Sequence, residues 1–235
     1  MPRRLIRNSK LTNRQLNELV KYFALEVPAR RAAKVMQINR HSAGRAYQAI
    51  RRCLARECEL NRPLGGGVEA DESYFGGRRK GPRGRGVAGE VPVSGLLKRN
   101  GKVYTRVVED VSRKTLRQII RTKVIPESAI YTDSFRPYDG LVLDGFRHYR
   151  INHQECFAMS KRRHINGIEN FRGYAKTKLG SYYGVSRGHC YLYLKEMEFR
   201  FNHRKAANLA AVIKKIIRKH EAVLHYSGSH LRASE

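Results

Sequence analysis

Tryptophan is absent from this 235-residue chain, and so is any apolar run near the roughly 20 residues that a membrane span needs. Cysteine is scarce. The four cysteines, at positions 53, 58, 156 and 190, form no CxxC pair, and reduced thiols in a cytosolic protein are the simplest reading. The first residues, Met1-Pro2-Arg3-Arg4-Leu5-Ile6-Arg7, carry charge without an apolar stretch, so no secretory leader is read there. Negative charge is also short: 20 acidic residues stand against 48 Lys and Arg, a formal net charge of +28. The imbalance starts early, with 15 basic and 4 acidic residues in 1–62. Such a chain is built to face phosphates. The expected setting is the cytoplasm, with nucleic acid as partner and no membrane. Charge alone would equally suit a protein that only coats nucleic acid, so the discrimination falls to the few acids.

Residues 10–56 read as three helices. Thr12 with Gln15 makes a capping box, and Leu16, Leu19, Val20 and Phe23 keep helical spacing behind it. Pro28 can open a short second helix, and His41-Ser42-Ala43 a third after the turn Gln37-Ile38-Asn39. Short helix, tight turn and basic helix form a helix-turn-helix arrangement in which Arg40, His41, Ser42, Arg45 and Arg51 face DNA. A plain three-helix packing module is the alternative. Residues 1–62 form this all-helical domain, and Pro63-Leu64-Gly65-Gly66-Gly67 is read as a linker, flexible by composition.

Strands follow: Val68–Phe75, Val91–Leu97 and Lys102–Glu109, the last two joined through Asn100-Gly101, a strong hairpin signal. An amphipathic helix over Ser112–Val124, a strand at 129–132 and a further one within 145–152 come next. Helical segments are expected over 166–179 and 190–219. The fold class is α/β (α+β): a mixed sheet flanked by helices over 68–206, then a basic C-terminal helix and tail over 207–235. The Gly/Arg-rich stretch 76–89, with Arg78, Arg79, Lys80, Arg83 and Arg85, reads as an arm along the DNA backbone.

Three acids occupy telling places. Asp71 lies within an apolar/acidic alternation closed by Gly76-Gly77, Asp133 ends the apolar run 129–132, and Glu169 opens a helix-like stretch. Carboxylates that converge raise one another's pKa and call for a cation, and oxygen donors select hard ions such as Mg²⁺. Two ions bridged by such carboxylates can activate a nucleophile and stabilise the leaving oxygen of an in-line displacement on phosphorus. Lys176 lies two helical turns after Glu169 and shares its face, whereas Lys178 and Arg172 are read as pointing elsewhere. Rival readings remain open. Glu69 and Glu72 are competing ligands, Asp133 can cap a turn, and Glu169 can be an ordinary acid in a first helical turn. The histidines and cysteines of the second half match no zinc-finger spacing.

The strings DESYFGG, YTDSFRPYDGL and HINGIENF, in this order with 61 and 35 residues between the acids, resemble the DDE transposases of prokaryotic insertion sequences. The ISXO2-like transposase domain is the nearest pattern, in a small subgroup without a zinc ribbon. The resemblance runs from Val68 to Arg204 and includes Lys195-Glu196-Met197-Glu198-Phe199-Arg200-Phe201-Asn202. It implies an RNase H-like catalytic domain, a metal triad of Asp71, Asp133 and Glu169 with Lys176 beside it, and Mg²⁺ as cofactor with Mn²⁺ as a substitute. It implies DNA cleavage and strand transfer by transesterification, on a homo-oligomer assembled on element ends and target DNA. Members carry Trp where Arg172 stands here. An RNase H-like structure-specific nuclease and a non-catalytic repressor derived from a mobile element are the alternatives.

Overall fold

The structure, a computed structural model, describes residues 9–75, 90–133, 135–151, 165–182 and 187–224. Its helices are α1 (Asn13–Ala24), α2 (Ala29–Val35), α3 (Arg40–Glu59), α4 (Arg113–Lys123), α5 (Asn166–Ser181), α6 (Arg187–Asn202) and α7 (Leu209–Leu224). Its strands are β1 (Gly67–Phe75), β2 (Val91–Lys98), β3 (Val103–Val107), β4 (Ala129–Thr132) and β5 (Arg147–Arg150). The chain divides into two compact units: Met1–Leu60 with His203–Glu235, and Asn61–Asn202.

In the first unit, the capping box forms as the sequence predicts: the Thr12 hydroxyl accepts from the Gln15 amide, and the Gln15 side chain accepts from the Thr12 amide at 2.9 Å. Leu16, Leu19, Val20 and Phe23 are buried. Phe23 meets Tyr47 of α3 edge-on, with ring centroids 5.0 Å apart. Asn39 caps α3 by accepting from the His41 amide at 2.8 Å. The C-terminal segment, set apart in the sequence reading, supplies α7 to this same unit. Ile213, Ile216 and Ile217 are buried, and Glu57 of α3 accepts from Lys219 and from His220.

The second unit carries a five-stranded sheet in the order β3-β2-β1-β4-β5. β1, β2 and β3 form an antiparallel meander, with Asn100 in the left-handed region at the β2–β3 turn. β4 and β5 run parallel to β1. This is the RNase H-like arrangement. Side chains alternate between faces with period two. Val68, Ala70, Leu96 and Tyr104 pack with Leu116, Ile119 and Ile120 of α4. Val93, Leu97, Val103 and Phe75 pack with Ile168, Phe171 and Ala175 of α5 and with Leu194 and Met197 of α6.

The glycine stretch 63–67 is no free linker. Leu64 is buried; its amide donates to the Lys123 carbonyl and its carbonyl accepts from Ile125, while Gly66 accepts from Ala129. These bonds seat the stretch in the sheet unit.

The exposed edge of β3 is closed by side chains of α6. Asn202 pairs with both backbone groups of Val103, at 2.7 and 2.8 Å. Glu198 accepts from the Thr105 amide and hydroxyl, and Lys195 donates to the Thr105 carbonyl at 2.7 Å. Positions 195, 198 and 202 share one helix face, and 103 and 105 one side of the strand. The helix thus takes the place of a sixth strand and removes an edge open to pairing.

Candidate active site

Asp71 sits mid-way along β1, paired across to Gly95 of β2. On the other side β1 aligns Glu69 with Tyr131 of β4, and carrying that parallel register two residues further sets Asp133 beside Asp71. One oxygen each from Asp71, Glu72 and Asp133 lie within 4.8 Å of one another, and among the described residues this is the one such grouping of His, Cys, Asp and Glu. Asp133 also accepts from the Phe135 amide at 3.0 Å, so its turn-capping role and its place in the cluster coexist.

Glu69 is spent on holding α5. One oxygen accepts from the Ile168 amide at 2.9 Å, satisfying a free N–H of the first helical turn; the other accepts from Arg99, whose guanidinium lies 3.5 Å from the Tyr131 ring centroid. The approach is close: a Cβ on Gly167 would meet a Glu69 carboxylate oxygen at 2.8 Å. On the sheet, a Cβ on Gly95 would meet Ile168 at 3.0 Å. Two glycines therefore let the helix settle where Glu169 comes into electrostatic range of Asp71.

The sequence reading turned Arg172 away from this place, and the structure corrects it. Its Nη1 donates to Asp71 Oδ2 at 2.9 Å, and its Nη2 lies 4.0 Å from Glu169 Oε1. A residue three positions after Glu169 is its neighbour on the helix surface, and a long side chain covers the rest. Lys176 is exposed, with its ammonium 6.0 Å from the Phe75 ring centroid at the end of β1. Asp71, Ser73, Phe75, Thr105, Ile168 and Arg172 line a small pocket here.

Burial pushes the Asp71 carboxyl up to about 6; Arg172 opposes the shift, and the charges of Asp133 and Glu169 add to it. On the opposite face of β1, the Tyr138 hydroxyl donates to Glu72 at 3.3 Å. Burial, then the charges of Glu72, Asp71 and Asp133, hold that phenol well above its ordinary range, so it stays a donor. Tyr138 was missed in the sequence, although it lies in the same string as Asp133. The donor set is all oxygen, mostly buried and of one sign. It fits a hard divalent cation.

In the helical unit, Arg40, His41 and Arg45 at the start of α3 are exposed and Ser42 is partly so. Arg51 departs from the expected DNA-facing set: it is 5% exposed, with its guanidinium over the Phe23 ring. Its stem packs along apolar surface, a use of arginine that a charge count cannot distinguish from DNA contact. Arg78, Arg79, Lys80, Arg83 and Arg85 lie outside the described residues.

The pattern of the ISXO2-like transposase domain matches residues 63–202, more than half of the chain. The chain belongs to this family of insertion-sequence transposases. An uncharacterized transposase-like protein of Haemophilus influenzae is 45% identical over 117 residues, covering 50% of this chain and 94% of the relative. Among solved structures, a chain of the simian T-cell lymphotropic virus intasome overlaps 79% of this chain and 68% of its own, at TM-score 0.42 and 12% identity. A chain of the Mos1 strand transfer complex overlaps 95% and 81%, at TM-score 0.34 and 11% identity. Overlap at that level says nothing about the chemistry of a site. The matched span of the transposase family contains Asp71, Asp133, Glu169 and Lys176. Among the described residues no helix is long and apolar enough to cross a membrane.

Proposed function

We propose that this transposase cuts DNA at the ends of its element and joins the freed 3′ ends to target DNA, with Asp71, Asp133 and Glu169 holding Mg²⁺, or Mn²⁺ in its place. The observation that carries this is the meeting of Asp71 and Asp133 across the parallel β1–β4 register, with α5 pinned by Glu69 so that the charge of Glu169 reaches Asp71. A divalent ion bound there supplies Lewis acidity toward the attacking and leaving oxygens of a phosphodiester.

The chain's own residues do the rest. Asp71 and Asp133 would hold the cation against the sheet, and Tyr138 steadies the neighbouring Glu72 by donating a hydrogen bond to it. Lys176 offers an ammonium to the phosphate next to the cluster. Arg40, His41, Ser42 and Arg45 at the start of α3 read and grip the element end, and Arg78, Arg79, Lys80, Arg83 and Arg85 follow the backbone. Coordinated cutting at two ends calls for at least two copies assembled on DNA, in the nucleoid.

The test uses the full chain and a labelled duplex copied from the DNA flanking its gene. Mg²⁺-dependent joining is expected, and Asp133→Ala should abolish cleavage and joining while DNA binding persists. Nicking without joining would make the protein a nuclease, and binding without either a repressor. Substantial strand transfer by Asp133→Ala would overturn the assignment of the site.

A further inference from the structure

Arg172 occupies ground that the proposed function reserves for a cation. Its guanidinium donates to Asp71 at 2.9 Å and lies 4.0 Å from Glu169, so one side chain spans two of the three carboxylates assigned to the ion. Asp71 has little water to turn to, its side chain being 7% exposed, whereas the Arg172 side chain is 36% exposed. The acid is fixed in a strand. The base sits on the surface of a helix at the end of a flexible stem, and only one partner of the pair is free to leave.

A guanidinium presents five N–H donors in a planar fork that matches phosphate oxygens as well as carboxylate oxygens. A duplex phosphate approaching from solvent can reach those donors, because the Arg172 side chain is the exposed partner of the pair. We infer that Arg172 is a positioning residue that holds Asp71 while the site is free of DNA and transfers to a DNA phosphate on loading, releasing Asp71 to the divalent ion. The inference rests on the proposed metal role of Asp71. Two properties follow. The ion and the guanidinium compete for Asp71 in the free protein, so the ion binds weakly there. DNA removes the competitor, so DNA and ion strengthen each other, by the same factor in both directions.

The test is a Mn²⁺ titration of the full-length protein, followed by electron paramagnetic resonance of free Mn²⁺, with and without a short blunt DNA duplex. Wild type, Arg172→Gln, Arg172→Trp and Asp71→Asn are compared, each first shown to melt cooperatively. Without DNA, both Arg172 variants should bind Mn²⁺ about tenfold more tightly than wild type, the scale of one partly exposed charge-assisted pair. The further gain on adding duplex should shrink relative to wild type. The second variant keeps the test open if the first does not fold. Mn²⁺ binding that depends on Asp71 but is unchanged or weakened in the Arg172 variants overturns the inference and leaves the proposed function standing. Mn²⁺ binding that Asp71→Asn does not weaken, with or without DNA, overturns both.

Discussion

Among the buried charges of the sheet unit two groups contrast, and the chain completes only one of them. Along the β3 edge, Glu198 gathers Lys195 at 3.0 Å and both Thr105 donors on one oxygen, and Lys195 lies 4.2 Å from the Tyr104 ring centroid. The second Glu198 oxygen has no hydrogen-bond partner among the described residues. In the middle of β1 and just past the end of β4 the buried groups are Asp71 and Glu72, with Asp133 partly buried beside them, and all bear the same sign. There the protein offers Arg172 from the rim and Tyr138 from behind. Desolvation weighs on both groups. Where both signs are supplied internally the result is a fastening, and where one sign is withheld the result is a place for something from outside.

The first way to break this comparison is to unbalance the fastening. Lys195→Met leaves Glu198 charged and fully buried, and removing one partner of such a pair costs about 3–5 kcal/mol. Chemical denaturation should show that loss. The double variant Lys195→Met/Glu198→Gln should recover part of it, since no isolated charge remains. A loss below about 1 kcal/mol would place the pair with ordinary surface salt bridges.

The second way is to relieve the unbalanced group. Asp71 titrates near 6 in the folded protein against an ordinary 3.8, so the folded state holds its proton more tightly than the unfolded chain. Stability from this group is therefore complete below about pH 4, falls as pH rises to about 6, and stays low above it. Asp71→Asn in chelator should raise stability by about 1–3 kcal/mol at pH 7.5 and by almost nothing at pH 4. Melts at the two pH values decide it. A variant destabilised at pH 7.5 would mean that Arg172 already settles the charge.

Much of this was legible in the sequence for local reasons. The Thr12–Gln15 box, the Asn100-Gly101 turn and the helical spacing of Leu116, Ile119 and Ile120 each carry their own structural logic within a few residues. The acids were legible because each sits at an element's edge or within a distinctive string. What escaped depends on side-chain reach and on partners distant in sequence. Arg172 escaped because the reading weighed the seven-residue step to Lys176 and overlooked the three-residue step. Arg51 escaped because a guanidinium over Phe23 looks, in sequence, like any other basic residue of α3. The stretch 63–67 escaped because glycine composition suggests freedom while its backbone bonds to residues some 60 positions away remove it. Lys195 and Glu198 entered only as letters of a family string, and their role shows once β3 supplies Thr105.

The smallest expected effect, and the one that best locates the outside partner, separates two lysines of α5. Lys176 is exposed near Phe75, which lines the same pocket as Asp71, and Lys178 is partly buried about 200° further around the helix. If the acidic group is completed by a cation and a phosphate together, the charge of Lys176 acts on that phosphate and the charge of Lys178 does not. An ammonium works there as a point charge, so its loss should slow strand transfer about tenfold, equivalent to about 1.4 kcal/mol. Lys176→Arg should keep part of the rate, and Lys178→Ala should fall within about twofold of wild type, as expected for one phosphate contact among many. Rates are compared at saturating DNA, so that weaker binding is not counted as slower chemistry. Equal rates for Lys176→Ala and Lys178→Ala would show that position on the helix is irrelevant. The phosphate would then enter the acidic group from a side that α5 does not face.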